Sequence, residues 1–255
     1  MRHLQLIYDN EFDESLNITK QLTSFSNLIS LTVEANCGEY GGSNEFQVFI
    51  LRQTFPCLQQ LCLRGNVFGH DIGLSYAEFK SNFPSLRYLE LDKLHVNFAL
   101  QIFDDYPQLR SFSAKLYCNM TTDTIKSFDT FLPALKVLKL RGDFDFGNEF
   151  GTQFLERFFS CCSNIHTFIL EAHCGPDWSR LFQEDWWPHA LVSNTKLQKI
   201  ALHFKWITRT NFHNWSAEID RFRSSQFFTQ LNTTIRTDFS SEFMRRMTVD
   251  VFIKN

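Results

Sequence analysis

Leu58-Gln-Gln-Leu61-Cys-Leu63-Arg-Gly-Asn66 is followed, one period later, by Leu86-Arg-Tyr-Leu89-Glu-Leu91. Both say the same thing: an apolar residue, two others, Leu, one other, Leu. The alternation over the last three positions is that of a strand with one buried face. Working outward, the phrase recurs with starts at Met1, Leu28, Leu109, Leu135, Ile165 and Leu197, at intervals of 23 to 32 residues. Self-similarity at such a period signals stacked units, each of which leaves an apolar face for its neighbour to cover.

A strand with a tight return needs only about 20 residues, so the longer copies predict an α-helix on the return path. Phe46, Phe49 and Ile50 fall at helical spacing, and Phe154, Leu155 and Phe158 come close to it. Ser75 with Glu78, and Asn44 with Gln47 after Gly41-Gly42, have capping-box spacing and read as helix starts. Pro56, Pro84, Pro107 and Pro133 each stand two residues before a repeat start, where a helix must stop and no ladder N–H is needed.

The unit Phe-Pro-x-Leu-x-x-Leu-x-Leu, at residues 55–63 and 83–91, resembles the leucine-rich repeat family. Within it the long copies are most similar to the repeat arms of ribonuclease-inhibitor-like and F-box-associated proteins. The resemblance implies an α/β solenoid with a parallel concave sheet and helices on the convex side. It covers about eight repeats over residues 1–205, with residues 206–255 as a C-terminal cap. The Asn or Cys that closes the family's motif is present as Asn36 and Asn66, while Asp9, Leu94, Tyr117, Asp143, His173 and Lys205 hold the equivalent places. The fifth copy departs further, with Phe112 and Ala114 where Leu is expected. Beyond Lys205, residues 211–231 read as a helix carrying Trp215, Ile219 and Phe222, and residues 248–253 alternate as a strand. A first strand starting at residue 1 has no cap ahead of it and reads as a fragment or a degraded N-terminus.

Composition narrows the function classes. A formal net charge of −3 leaves no electrostatic footprint for nucleic acid, and no basic amphipathic run suggests a membrane surface. No apolar stretch is long enough to span a bilayer, and no signal peptide is evident. Seven cysteines at irregular spacing read as reduced thiols of an intracellular protein, cytoplasmic or nuclear. The 29 phenylalanines fall mostly on helix faces or before Pro and read as core filler. The four N-glycosylation triplets carry little weight without a leader.

Stacked parallel strands align equal repeat positions into columns about 4.8 Å apart. The column after the last Leu reads Ile7, Glu34, Arg64, Asp92, Lys115, Arg141, Glu171, His203; the column between the two Leu positions includes Cys62, Glu90 and Lys139. The alternating signs of Glu34, Arg64, Asp92 and Lys115 predict neutralisation between neighbours. The functional reading of these columns is a partner-binding patch of Arg64, Tyr88, Glu90, Asp92, Lys115, Lys139 and Arg141, since Tyr and Arg are favoured interface residues. Cys161, Cys162, His166, His173 and Cys174 are the one metal-like group, but adjacent cysteines point apart and the spacing suits zinc poorly. For nucleophilic catalysis the reading offers Cys161 or Cys162 with His166, without an elbow or oxyanion-hole motif. No phosphate-binding glycine motif occurs, and no cofactor is expected. Trp186-Trp187 before Pro188 reads as helix packing, with an exposed rim anchor as the alternative.

The expectation is therefore a non-enzymatic scaffold that binds a partner protein on a concave surface. The F-box side of the resemblance implies substrate recruitment to a ubiquitin ligase. That role needs an F-box segment upstream to hold a Skp1-type adaptor. The ribonuclease-inhibitor side implies a binding or sensor protein without that link, and a Cys/His enzyme is the remaining alternative.

Overall fold

At residues 55–58 the chain reverses through a β-turn, with the Leu58 N–H donating to the Phe55 carbonyl at 3.1 Å. Pro56 fills the second position, where its fixed φ matches what the turn requires. The turn recurs at residues 83–86 (3.2 Å), 106–109 (2.9 Å) and 132–135 (3.3 Å), with Pro84, Pro107 and Pro133 in that second place. Ser163 and Thr195 replace the proline at residues 162–165 and 194–197, and the bond persists at 3.3 and 3.1 Å. Each turn delivers one apolar residue into the interior: Leu58, Leu86, Leu109, Leu135 and Ile165 are fully buried, and Leu197 nearly so. The prolines thus begin turns as well as end helices.

The computed structural model describes residues 2–8, 26–35, 50–64, 82–117, 130–142, 149–174, 181, 183, 185–191, 193–207, 220, 223–230, 232–238 and 244–252. The chain divides into two compact units, Met1–Lys115 and Leu116–Asn255.

In the first unit, β1 (His3–Tyr8), β2 (Ser30–Ala35), β3 (Gln60–Arg64) and β4 (Tyr88–His95) pair in chain order, all parallel. The register sets Leu4, Leu31, Leu61 and Leu89 side by side, and likewise Leu6, Val33, Leu63 and Leu91. Branched apolar side chains at both positions from β2 onward are almost wholly buried, which is the main stabilising term, about 1.5–3 kcal/mol each. β4 runs directly into α1 (Val96–Asp105), and β5 (Ser111–Tyr117) begins with Arg110 and Ser111 both donating to the Arg87 carbonyl. Phe103 of α1 meets Phe112 of β5 edge-to-face at 4.7 Å. Phe112 and Ala114, the departures in the fifth copy, are both fully buried, a larger and a smaller side chain standing in for two leucines.

In the second unit, β6 (Val137–Gly142), β7 (Thr167–Cys174) and β8 (Lys199–Ile207) are parallel. Leu138, Phe168 and Ile200 align, as do Leu140, Leu170 and Leu202, and all six are fully buried. α2 (Glu149–Cys161) buries Phe154, Leu155 and Phe158, the residues whose spacing predicted it, and Phe159 stacks edge-to-face on Phe168 at 4.8 Å. α3 (Trp186–Leu191) follows. The strand read at residues 248–253 forms as β10 (Met244–Phe252), antiparallel to β8. An unpredicted strand, β9 (Asn232–Asp238), pairs antiparallel with β10 at the sheet margin. Of the helix read at residues 211–231, residues 220 and 223–224 are helical and a short α4 (Gln226–Gln230) follows; the rest of the span lies outside the described residues. Residues 46 and 49, both capping boxes, Asn36 and Asn66 lie outside them. Among the described residues no helix is long and apolar enough to cross a membrane.

Two hydrogen-bond devices join successive copies within a unit. At strand starts one carbonyl accepts two N–H groups: Ile29 from Gln59 and Gln60, Gln59 from Arg87 and Tyr88, Lys136 from His166 and Thr167, and His166 from Gln198 and Lys199. At the turns, Ser85 donates to the Pro56 carbonyl (2.6 Å), Asn164 to that of Pro133 (2.7 Å), and Lys196 to Asn164 Oδ1 (2.7 Å). Asparagine does link copies, but ahead of the strand: buried Asn82 donates to the Leu51 carbonyl (2.8 Å) and accepts from Thr54, while buried Asn194 donates to the Phe159 carbonyl (3.0 Å).

Candidate functional site

Strand alternation turns the leucines inward and sends the intervening residues to the opposite face of the sheet. On that face side chains are half-buried or exposed, apart from the small Cys62, Ser113 and Ala201. The first unit places Arg64, Tyr88, Glu90, Asp92 and Lys115 there, and the second unit places Lys139 and Arg141 on its own open face.

In the first unit the main electrostatic contact is a forked pair. Arg64 Nε donates to Glu90 Oε1 at 3.2 Å and Nη2 to Oε2 at 3.3 Å. The forked partner lies in the adjacent column, while the charge of Glu34 in Arg64's own column also acts on it. Arg64 reaches diagonally to Glu90 on β4, because a guanidinium fork matches a carboxylate two positions from the residue directly across. Both partners are partly exposed, so the pair contributes about 0–1 kcal/mol and mainly orients the two side chains. Tyr88 is 40 % exposed at the start of the same strand, a large aromatic held open to solvent.

Beneath that pair, Cys62 sits between Thr32 and Glu90 in the register. Burial pushes its thiol up to about 12 from an ordinary 9.0, the Glu90 carboxylate adding to the effect and Arg64 opposing it. The thiolate is the reactive form and Cys62 is buried, so alkylation at pH 8 is expected to be at least about tenfold slower at Cys62 than at the exposed Cys57. Peptide mass spectrometry after timed labelling measures this, and comparable rates at the two sites would contradict the burial of Cys62.

The second unit gathers a cluster that the sequence columns contained but the candidate patch omitted. Glu171 on β7 takes a 2.9 Å contact from Lys139 on β6 and lies 4.0 Å from His203 Nδ1 on β8. Burial alone would raise its pKa; the Lys139 hydrogen bond and charge, with His203 and Arg141 adding, outweigh that and hold the carboxyl below its usual range. The signal was there to be read, since Arg141, Glu171 and His203 are consecutive members of one column.

The metal-like group divides differently. Cys161 closes α2 and Cys162 opens the turn after it, both buried, and burial followed by the neighbouring Cys161 pushes the Cys162 thiol well up. His166 lies in the turn before β7 with Nδ1 2.9 Å from the Asn164 carbonyl oxygen. His173 and Cys174 end β7. Among the described residues no three potential ligands gather around one point. The tryptophan pair is interior: Trp186 and Trp187 are 8 % and 1 % exposed and cross edge-to-face at 4.7 Å. No protein-family model matches this chain, and no characterised protein is significantly similar to it in sequence.

Proposed function

We propose that this chain is a leucine-rich-repeat module that holds another protein on its open sheet face. The observation that carries the reading is the register: equal repeat positions stand side by side, so that in each unit buried apolar columns alternate with columns of solvent-reaching polar side chains. A face of that kind presents many fixed side chains at strand spacing at little ordering cost, which suits a partner surface better than a small ligand. The fuller form of the reading, drawn from the F-box-associated resemblance, makes the partner a substrate delivered to a ubiquitin ligase. A Skp1-type adaptor would then be bound by an F-box segment joined to the repeats.

The first unit supplies the test. Arg64 and Tyr88 combine an oriented guanidinium with an exposed aromatic, the pairing most enriched in interface hot spots. The double variant Arg64→Glu with Tyr88→Ala is expected to weaken capture of the partner by roughly thirtyfold, equivalent to about 2 kcal/mol. Crosslinked capture quantified against the parent chain checks it. Unchanged capture by a folded variant moves the binding surface off this part of the face.

A further inference from the structure

The chain carries a formal net charge of −3, yet the open face of its second unit has the opposite sign. Among the described side chains Lys139, Arg141, Lys199 and Arg236 share that face with one carboxylate, Glu171, itself engaged by Lys139 at 2.9 Å. The backbone register adds two basic and two acidic positions and so leaves that excess unchanged. Lys205 stands opposite both His173 and Arg246, whereas the acidic positions of the same alternation in β10 and β9 are Asp250 and Asp238. His203, beside Glu171, adds a further positive charge whenever it is protonated. By contrast, the face of the first unit carries Glu34, Glu90 and Asp92 against Arg64 and Lys115. Charge is therefore sorted by unit, although composition averages it away.

We infer that the open face of β6, β7, β8, β10 and β9 receives an acidic stretch of a partner protein. The inference rests on the reading of this face as a protein-binding surface and adds the chemistry of what it takes. Local complementarity of this sort selects partners and speeds their encounter more than it adds raw affinity. A protein segment fits better than a nucleic acid because the cations are interrupted. Glu171 stands between Lys139 and His203, at 2.9 and 4.0 Å. A phosphodiester backbone repeats its charge without a break and favours an unbroken basic track on a basic domain. A peptide can alternate carboxylates with neutral residues to match the interruptions.

The experiment is fluorescence anisotropy on the full chain with a labelled glutamate-rich dodecapeptide, a lysine-rich counterpart and a single-stranded oligonucleotide of matching charge. The glutamate-rich peptide is expected to bind saturably, the lysine-rich one not to bind, and affinity to fall several-fold between about 50 and 200 mM salt. The variant Lys199→Glu with Arg236→Glu should lose at least about tenfold. Glu171→Gln should bind the acidic peptide about two- to fivefold more tightly, a gain that misfolding does not produce. Three results overturn the inference: absence of saturable peptide binding, equal affinity in the charge-reversed and parent chains, or tighter binding of the oligonucleotide than of the peptide. Partner capture that is sensitive to Arg64 and Tyr88 but indifferent to competing acidic peptide would sink this inference alone and leave the binding reading standing. Loss of capture sensitivity at both places would sink the two together.

Discussion

Replacing Trp187 with alanine is expected to destabilise the second unit by about 3–5 kcal/mol, the range for emptying a buried aromatic site. The indole is 1 % exposed, donates from Nε1 to the Leu181 carbonyl at 2.9 Å, crosses Trp186 at 87°, and lies 6.3 Å from Phe228 of α4. Truncation would open a cavity no neighbour can fill and leave the Leu181 carbonyl without its donor, and the two costs add. Urea denaturation of the full chain measures the loss. Phe131→Ala is the control: that ring is 55 % exposed, and its removal should change stability by no more than about 0.5 kcal/mol. A loss below about 1 kcal/mol at Trp187 would return the tryptophan pair to the exposed-anchor reading.

Gly142→Ala is expected to cost about 2–4 kcal/mol, more than a methyl group ordinarily could. Gly142 closes β6 with φ +147°, a conformation that side-chain-bearing residues rarely adopt. A Cβ there would be driven into the backbone carbonyl oxygen of Leu116, so relief requires one backbone to move away from the other. Because the obstruction is backbone, a smaller neighbouring side chain should not rescue the variant. Denaturant midpoints for Gly142→Ala alone and with Leu116→Ala test this: two losses that simply add fit the backbone clash, whereas recovery in the double variant argues against it.

The apolar interior was legible because it depends on a two-residue alternation repeated at every copy, a signal that survives substitution by Val33, Phe168 or Ile200. The prolines also carried real information, although it took the hydrogen bonds at residues 55–58 and their counterparts to show that they start turns. The linking asparagines seen in the described residues stand ahead of the strand, Asn82 just before its turn and Asn194 opening one, since each answers to a backbone carbonyl of an earlier segment rather than to a motif position. β9 escaped notice because Asn232-Thr-Thr-Ile-Arg-Thr-Asp is almost wholly polar, as a margin strand can be when only one edge is paired. For the candidate site, the columns gave the right neighbours but not the forked partner of Arg64. Register follows from sequence spacing, but a long guanidinium reaches past the residue opposite, and its choice of Glu90 depends on side-chain geometry.

The ladder of turns has a consequence for how this chain tolerates change. Ser85 on Pro56, Asn164 on Pro133 and Lys196 on Asn164 anchor three of the turns to the one before within their unit, while doubled N–H donors clamp the strand that follows. Both ends of the returning segment are therefore fixed by neighbours, not by the segment's own length. Repeat spacing ranges from 23 to 32 residues in this sequence, and that difference costs a returning segment only about 0.5 kcal/mol of closure entropy and leaves the strand register untouched. Spacing between successive strands can therefore vary without moving the open face, and whatever it grips, out of register.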